Sequence, residues 1–293
     1  MVSGLDRLVK SVAAGLALLA LASWAGPLHP AADALAVLRV PLLVLAALAV
    51  IWTSWPRRLR WPVAGLCLLA LGQVGGMKLY APAPGPFVVY QKNLWGGNPQ
   101  AEAMAAEITA QAPDVVTLQE VSTRNRHLLD LLRPGYPHQY LCAGVAVLSR
   151  HPVVQGETLC VKGGGLAGLR VSLPEGPVWV LSVHLFWPWP HDQRPQAERI
   201  EALVTGLPGP VVLAGDFNMT PWGSDVRRLV RATGVRRAGP MFPTFWLRPS
   251  GLPLAVPLPL DQVYATGGGA ARVRPLLGSD HAGVLAGVFL DAD

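Results

Sequence analysis

The sequence predicts an α+β sandwich, two β-sheets face to face with helices outside, preceded by a hydrophobic helical region. Three observations carry this. From residue 87 onward short strand-like runs outnumber helix-like ones, some adjacent and some separated by helices. Several of these runs deliver an acid at or beside their end, as Val115-Val116-Thr117-Leu118-Gln119 does Glu120 and Val211-Val212-Leu213-Ala214-Gly215 does Asp216. The chain is 51% hydrophobic and only 14% charged, with a mean hydropathy of +0.36, and the apolar excess sits at the N-terminus.

Residues 9–25, 35–55 and 61–80 are nearly charge-free, each near the ~20 residues that cross a bilayer as a helix. Three such segments in succession predict three transmembrane helices in residues 1–80. The first also fits a signal peptide, with Arg7 and Lys10 ahead of an apolar stretch and Ser23-Trp24-Ala25 as a cleavage site. Arg7 and Lys10 precede the first segment, and Arg57, Arg58 and Arg60 separate the second from the third. Positive residues mark the cytoplasmic side. The expectation is a multi-pass cell-membrane protein with a cytoplasmic N-terminus and everything after residue 80 outside, although Lys78 at the outer end dissents.

The net charge of +6 divides unevenly. Residues 1–80 hold seven Lys/Arg against two Asp/Glu, and the remainder seventeen against sixteen. Most of the basicity is therefore topological and carries no nucleic-acid signal. Cys67 falls in the third segment as a packing residue. Cys142 and Cys160 flank a turn near Ser149-Arg150-His151-Pro152 and are read either as a disulfide across a hairpin or as two core thiols.

Residues 81–86, rich in Pro, form a stiff connector, and residues 87–293 form the second domain. Phe87–Tyr90 reads as a strand running into Lys92-Asn93. Asn98-Pro99 opens a helix through about Ala110, Val115–Leu118 is a buried strand, and Ser122 caps a helix rich in Leu128, Leu129 and Leu132. Strands follow around Val145–Leu148, Leu169–Leu173 and Val178–Val183. Asp192 caps a helix carrying Ile200, Leu203 and Val204. Val211–Ala214 is the next strand, a short helix follows Pro221, and strands near Gln262–Tyr264 and Ala282–Phe289 close the chain.

Six short motifs stand in order along this domain: Lys92-Asn93-Leu94, Leu118-Gln119-Glu120, Ser182-Val183-His184-Leu185, Gly215-Asp216-Phe217-Asn218, Leu260-Asp261-Gln262-Val263 and Ser279-Asp280-His281. Singly each has an ordinary reading: His184 as a core imidazole, Asp280 as a turn residue, Asn93 as a cap, Asp261 as a loop acid. Together they offer the acids, amides and imidazoles that a metal-assisted phosphoester hydrolase needs at one sheet rim. The set resembles the signature of the endonuclease/exonuclease/phosphatase superfamily over residues 87–293, with Gln262 as a small departure from its usual pattern.

The resemblance implies a four-layer α/β/β/α sandwich and in-line attack of water on phosphorus with a divalent metal, Mg2+ or in substitution Mn2+. Glu120 is the leading metal ligand, with Asn93 nearby and Asp280 as a further contact, since magnesium takes few protein oxygens and keeps water and phosphate as its other ligands. Asp216 orients and deprotonates the water, and Asn218 holds Asp216 or the phosphate. Asp261 supports His281 as an imidazolium facing the transition state, and His184 is a second phosphate donor or aids the leaving group. His29, His127, His138, His151 and His191 fit no such pattern and are read as surface or loop residues.

Two features bear on substrate. Phe186-Trp187-Pro188-Trp189-Pro190 follows His184 and puts Trp187 and Trp189 at the rim, for a base, a lipid or plain loop packing. Arg227, Arg228, Arg231, Arg236 and Arg237 cluster as a solvated helix face, a phosphate contact or a headgroup anchor. Hydrophobic segments ahead of a short catalytic domain also resemble the superfamily's membrane-anchored bacterial subgroup, including membrane phosphatases associated with glycopeptide resistance, for which polyprenyl pyrophosphate recycling is implied. The expected substrate is thus a (pyro)phosphorylated lipid at the outer membrane face. An anchored extracytoplasmic nuclease or phosphodiesterase is the alternative and a non-catalytic ligand-binding module the third reading; the sequence identifies no protein partner.

Overall fold

The computed structural model describes residues 2–51, 53, 55–248 and 255–291. Trp52 and Ser54, inside the second predicted membrane segment, lie outside the described residues, as do the last two residues of the second domain.

The N-terminal region forms α1 (Val2–Ala22), α2 (Pro30–Val37), α3 (Arg39–Ile51) and α4 (Arg57–Leu79). Small residues set their packing: Ala20, Ala46, Ala47 and Cys67 surround Leu43. Leu8, Leu18, Leu48, Leu66, Leu68 and Leu69 remain exposed, so much of the bundle's outer surface is apolar.

The expectation of three transmembrane helices is corrected here. Among the described residues one helix, Arg60–Leu79 within α4, is long and apolar enough by itself to cross a bilayer. α2 and α3 qualify only as one broken segment, bent by 73°. α1 has the length, but Asp6, Arg7 and Lys10 fall in its first turns. The bend has a cause: α2 is drawn onto the second domain, where Asp33 accepts hydrogen bonds from the Ser224 amide and hydroxyl and Trp222 Nε1 donates to the Ala36 carbonyl at 2.7 Å. Arg39, just past the bend, donates to Ser23 Oγ at 2.8 Å.

The strands are β1 (Phe87–Asn93), β2 (Val115–Gln119), β3 (His138–Cys142), β4 (Val145–Ser149), β5 (Val153–Cys160), β6 (Leu166–Val171), β7 (Val178–His184), β8 (Val211–Asp216), β9 (Arg236–Gly239), β10 (Phe245–Leu247), β11 (Val256–Leu258), β12 (Asp261–Ala265), β13 (Gly269–Arg274) and β14 (Gly283–Val288). Between them lie α5 (Ala101–Gln111), α6 (His127–Leu132), α7 (Gln193–Val204) and α8 (Ser224–Thr233).

Twelve strands run as β3-β4-β2-β1-β14-β13-β9-β12-β8-β7-β6-β5, and β10 pairs with β11 separately. The long sheet folds over at β9, which pairs with β13 on one side and β12 on the other. The β1 and β8 halves thus come face to face. Val89, Val115 and Val284 from one half meet Val180, Val212 and Val263 from the other in a dry layer. Each such burial contributes roughly 1.5–3 kcal/mol. Outside one half, α5 and α6 seat Met104, Ile108, Leu128 and Leu132; outside the other, α7 and α8 seat Ile200, Val204, Val226 and Leu229. The layers are α/β/β/α.

Cys142 and Cys160 form a disulfide. They do not face each other across a hairpin, because β4 pairs with β2 and β3 whereas β5 pairs with β6. The bond instead ties β3, at one end of the folded sheet, to β5 at the other. The Pro-rich connector is not a free spacer: Gly85 N donates to the Gly287 carbonyl at 2.9 Å, extending the β1–β14 pairing.

Candidate active site

Strand ends of the two facing halves converge on a cleft of about 590 Å3, whose lining includes Glu120, His184, Asp216, Asn218, Asp280 and His281. Asp216 ends β8 directly opposite Asp261, which begins β12. Gly215 lets β8 lie close against β7 on its other side, since a Cβ there would collide with the Val183 carbonyl. Two other cleft residues hold a left-handed backbone without being glycine, Glu120 at φ 56° and Asn218 at φ 45°. Such strain persists where neighbours over-determine the conformation. Here the Gly96 amide donates to Glu120 Oε2 at 2.9 Å and the Asn218 amide to Asp216 Oδ1 at 2.8 Å.

Asn93 Nδ2 donates to both Glu120 Oε1 at 3.0 Å and Asp216 Oδ2 at 2.9 Å, while its Oδ1 accepts from the Trp95 amide. Asn93 therefore links the two carboxylates, with its oxygen turned away from them. His281 Nδ1 lies 2.7 Å from Asp261 Oδ2, and its Nε2 is 3.8 Å from Asp216 Oδ2. His184 Nε2 stands 3.6 Å from the same Asp216 oxygen and 3.9 Å from Glu120 Oε1. Asn218 Nδ2 donates to the Leu185 carbonyl at 2.8 Å, holding the turn after His184.

The electrostatics divide the acids. Burial drives Asp216 above the ordinary carboxylate range, more than the nearby imidazoles lower it. Burial acts on Asp261 in the same sense, but His281, Thr244 and Gln91 outweigh it and hold Asp261 below its usual value. Burial would depress His281; the charges of Asp261 and Asp216 reverse this and lift it to about 10. The trio is thus an ionised Asp261, an imidazolium and a carboxylate with raised proton affinity.

Asp216, Asp261 and His281 offer ligand atoms within 4.8 Å of one another, as a metal would need. Their chemistry favours a different reading, because the 2.7 Å Asp261–His281 contact already engages two of the three groups and magnesium prefers oxygen. A hard divalent cation fits better beside Glu120, a partly exposed carboxylate held by a backbone amide at the cleft floor. Asp280 is exposed on the rim and adds negative charge without a hydrogen bond to the others.

Trp187 reaches the cleft and packs edge-on against Phe245 at 5.9 Å. Trp189 is 53% exposed and does not line it. His191, read from sequence as a loop residue, does. The arginine cluster disperses: Arg228 pairs with Glu201 at 2.7 Å, Arg237 donates to the Met77 carbonyl at 3.4 Å, and none of the five lines the cleft.

Supporting residues went unassigned in the sequence. Lys92, fully buried, donates to the Pro275, Leu276 and His281 carbonyls and so pins the loop bearing Asp280 and His281; burial lowers it to about 8. Thr244 Oγ1 accepts from the Asp261 amide, and the Phe245 ring lies 4.8 Å from that of His281. Gln196 clamps the His184 carbonyl and the Phe186 amide. A lysine inside an apolar strand was the available signal for the first; the others lie in segments without a motif. Gln262 donates to the Met219 carbonyl at 2.7 Å and steadies the loop after Asn218, which accounts for that unusual residue.

A model of the endonuclease/exonuclease/phosphatase family matches residues 91–281. No curated protein sequence is significantly similar to the chain. Among solved structures, a mutant of beta toxin from Staphylococcus aureus with bound magnesium ions is 15% identical, with a TM-score of 0.56 over 69% of this chain and 99% of that one. Truncated TDP2 from Caenorhabditis elegans is 21% identical, with a TM-score of 0.54 over 68% and 96%. Sphingomyelinase C from Streptomyces griseocarneus is 19% identical, with a TM-score of 0.51 over 69% and 99%. These likenesses show a common fold.

Proposed function

Because the chain belongs to the endonuclease/exonuclease/phosphatase family, we propose that it is a Mg2+-dependent phosphoester hydrolase acting on a phosphorylated or pyrophosphorylated lipid at a membrane surface. The observation that carries the chemistry is the contact of one Asp216 oxygen with Asn93, His184 and His281 at 2.9, 3.6 and 3.8 Å. A carboxylate of raised proton affinity is suited to take a proton from water, and an imidazolium facing it to donate to developing phosphoryl charge.

Asp261 keeps His281 charged and fixed, whereas Asn93 holds Asp216 and Glu120 in register. His184, partly exposed at the cleft, is placed to meet the substrate phosphate or its leaving oxygen. Glu120 would hold the magnesium, which supplies Lewis-acid stabilisation of phosphoryl oxygen when bound. Asp280 adds rim charge that favours the cation.

The lipid assignment rests on the exposed apolar side chains of α1, α3 and α4, which a bilayer would cover. α2 fixes that bundle to the turn following Asn218. The disulfide supports an oxidising compartment, hence an extracytoplasmic domain. Nucleic-acid cleavage is the rival reading. The near-neutral charge beyond residue 80 and the absence of arginines from the cleft lining count against it. Phosphate release from a prenyl diphosphate, compared with plasmid nicking by the same preparation, decides between them.

A further inference from the structure

A second cavity, of about 420 Å3, lies where the helices meet the sandwich. Val40 and Val44 of α3 and Val74 of α4 face Trp222 and Phe242 across it. Protein interiors are close-packed, and an apolar space of this size falls in the ~300–1,000 Å3 range of ligand pockets. The one charged residue among its described lining is Lys78, exposed in the last turn of α4.

Two segments wall both this cavity and the catalytic cleft. The loop after β8 gives Asn218 to the cleft and Thr220 to the cavity. The run ending at β10 gives Phe245 to the cleft and Phe242 to the cavity. The anchoring contacts are firm here, since Met241 N donates to the Met77 carbonyl at 3.0 Å. A molecule with a phosphate in the cleft and a hydrocarbon chain in the cavity would therefore run across two short protein segments, its anionic end in the cleft and its apolar end against a lining that is otherwise uncharged.

We propose that this cavity is the tail site, holding the hydrocarbon chain of the lipid whose phosphate the cleft hydrolyses. It rests on the lipid-phosphate reading above and adds to it that chain length is sensed between α3, α4 and the loop after Asn218.

The test uses the full chain in lipid nanodiscs. Benzophenone-tagged farnesyl diphosphate is photolysed on wild-type protein and the adducts are located by mass spectrometry. In parallel, kcat/KM for farnesyl and dimethylallyl diphosphates is compared between wild type and Val74→Trp. The expected result is adducts on the Val74–Lys78 or Met241–Pro243 segments, and a farnesyl-to-dimethylallyl ratio at least tenfold lower in the variant. Adducts confined to the outward side chains of Leu8, Leu66 and Leu69, with an unchanged ratio, overturn the tail site while leaving lipid hydrolysis standing. If wild type releases phosphate from neither diphosphate yet nicks plasmid DNA, the lipid reading itself falls and the tail site falls with it. The photolabelling needs no variant, so a Val74→Trp protein that fails to fold still leaves a decisive result.

Discussion

Asp216 and Asp261 stand opposite each other across the antiparallel β8–β12 pair, yet their proton affinities move in opposite directions. Burial raises both, but in Asp261 it is offset by His281, Thr244 and Gln91, and His281 bonds Asp261 at 2.7 Å while only approaching Asp216, at 3.8 Å. In the proposed mechanism these opposite shifts suit the two buried carboxylates to separate tasks, one as base and one as counter-charge.

Asp216→Asn should abolish turnover by about 10³-fold, the scale of a lost general base. The substitution preserves shape and a hydrogen-bonding side chain, so the thermal transition should stay within a few degrees of wild type. Steady-state kinetics beside a melting curve checks both.

Glu120→Gln should raise the magnesium concentration needed for half-maximal rate by about tenfold or more, since loss of even an outer-sphere partner weakens metal sites about 10–100-fold. Magnesium titration of activity reads this directly. An unchanged titration would remove Glu120 from the metal site.

The pH profile should be bell-shaped. Its acid limb lies above the ordinary Asp value of about 3.9 because Asp216 is raised, and its alkaline limb lies far above the ordinary imidazole value of about 6.5. Asp261→Asn removes the largest charge that raises His281, so the alkaline limb should move down from the neighbourhood of about 10. Because the folded-state value of His281 is raised, its stabilising contribution is complete below the unfolded value and is lost as pH rises through about 10.

Lys92→Met should destabilise the domain by about 3 kcal/mol, because three carbonyls lose a buried charged donor. Turnover should fall as well, since the His281 loop loses its tether. Urea unfolding monitored by circular dichroism measures the first effect. Cys142→Ser should cost a similar amount, about 3 kcal/mol for a closed loop of this size, the two cysteines being 18 residues apart.

The residues of the proposed site were legible because acids at strand ends are local patterns: Glu120, Asp216 and Asp261 all lie at or just beyond the ends of strands that the apolar runs predict. What was illegible depended on contacts distant in the chain. Nothing near Phe245 announces that its ring lies tilted against that of His281, and the disulfide joins edge strands that local spacing would have paired as a hairpin. The helices fared worst. Hydropathy alone cannot separate a span from a segment bent onto a neighbouring domain, and Asp33, which falls between the first two apolar segments, is the buried acceptor at the bend. Asn98, read as a helix cap, instead bonds the Gln100 amide and the Leu277 carbonyl, and α5 begins only at Ala101.

The central claim is most directly tested by magnesium-dependent phosphate release from farnesyl and undecaprenyl diphosphates by the full-length protein. Plasmid DNA and bis-p-nitrophenyl phosphate run alongside, with Asp216→Ala as control. The account predicts release from the prenyl diphosphates that requires magnesium and vanishes in the control, with little nicking. Cleavage of DNA or the diester without release from either lipid would contradict it.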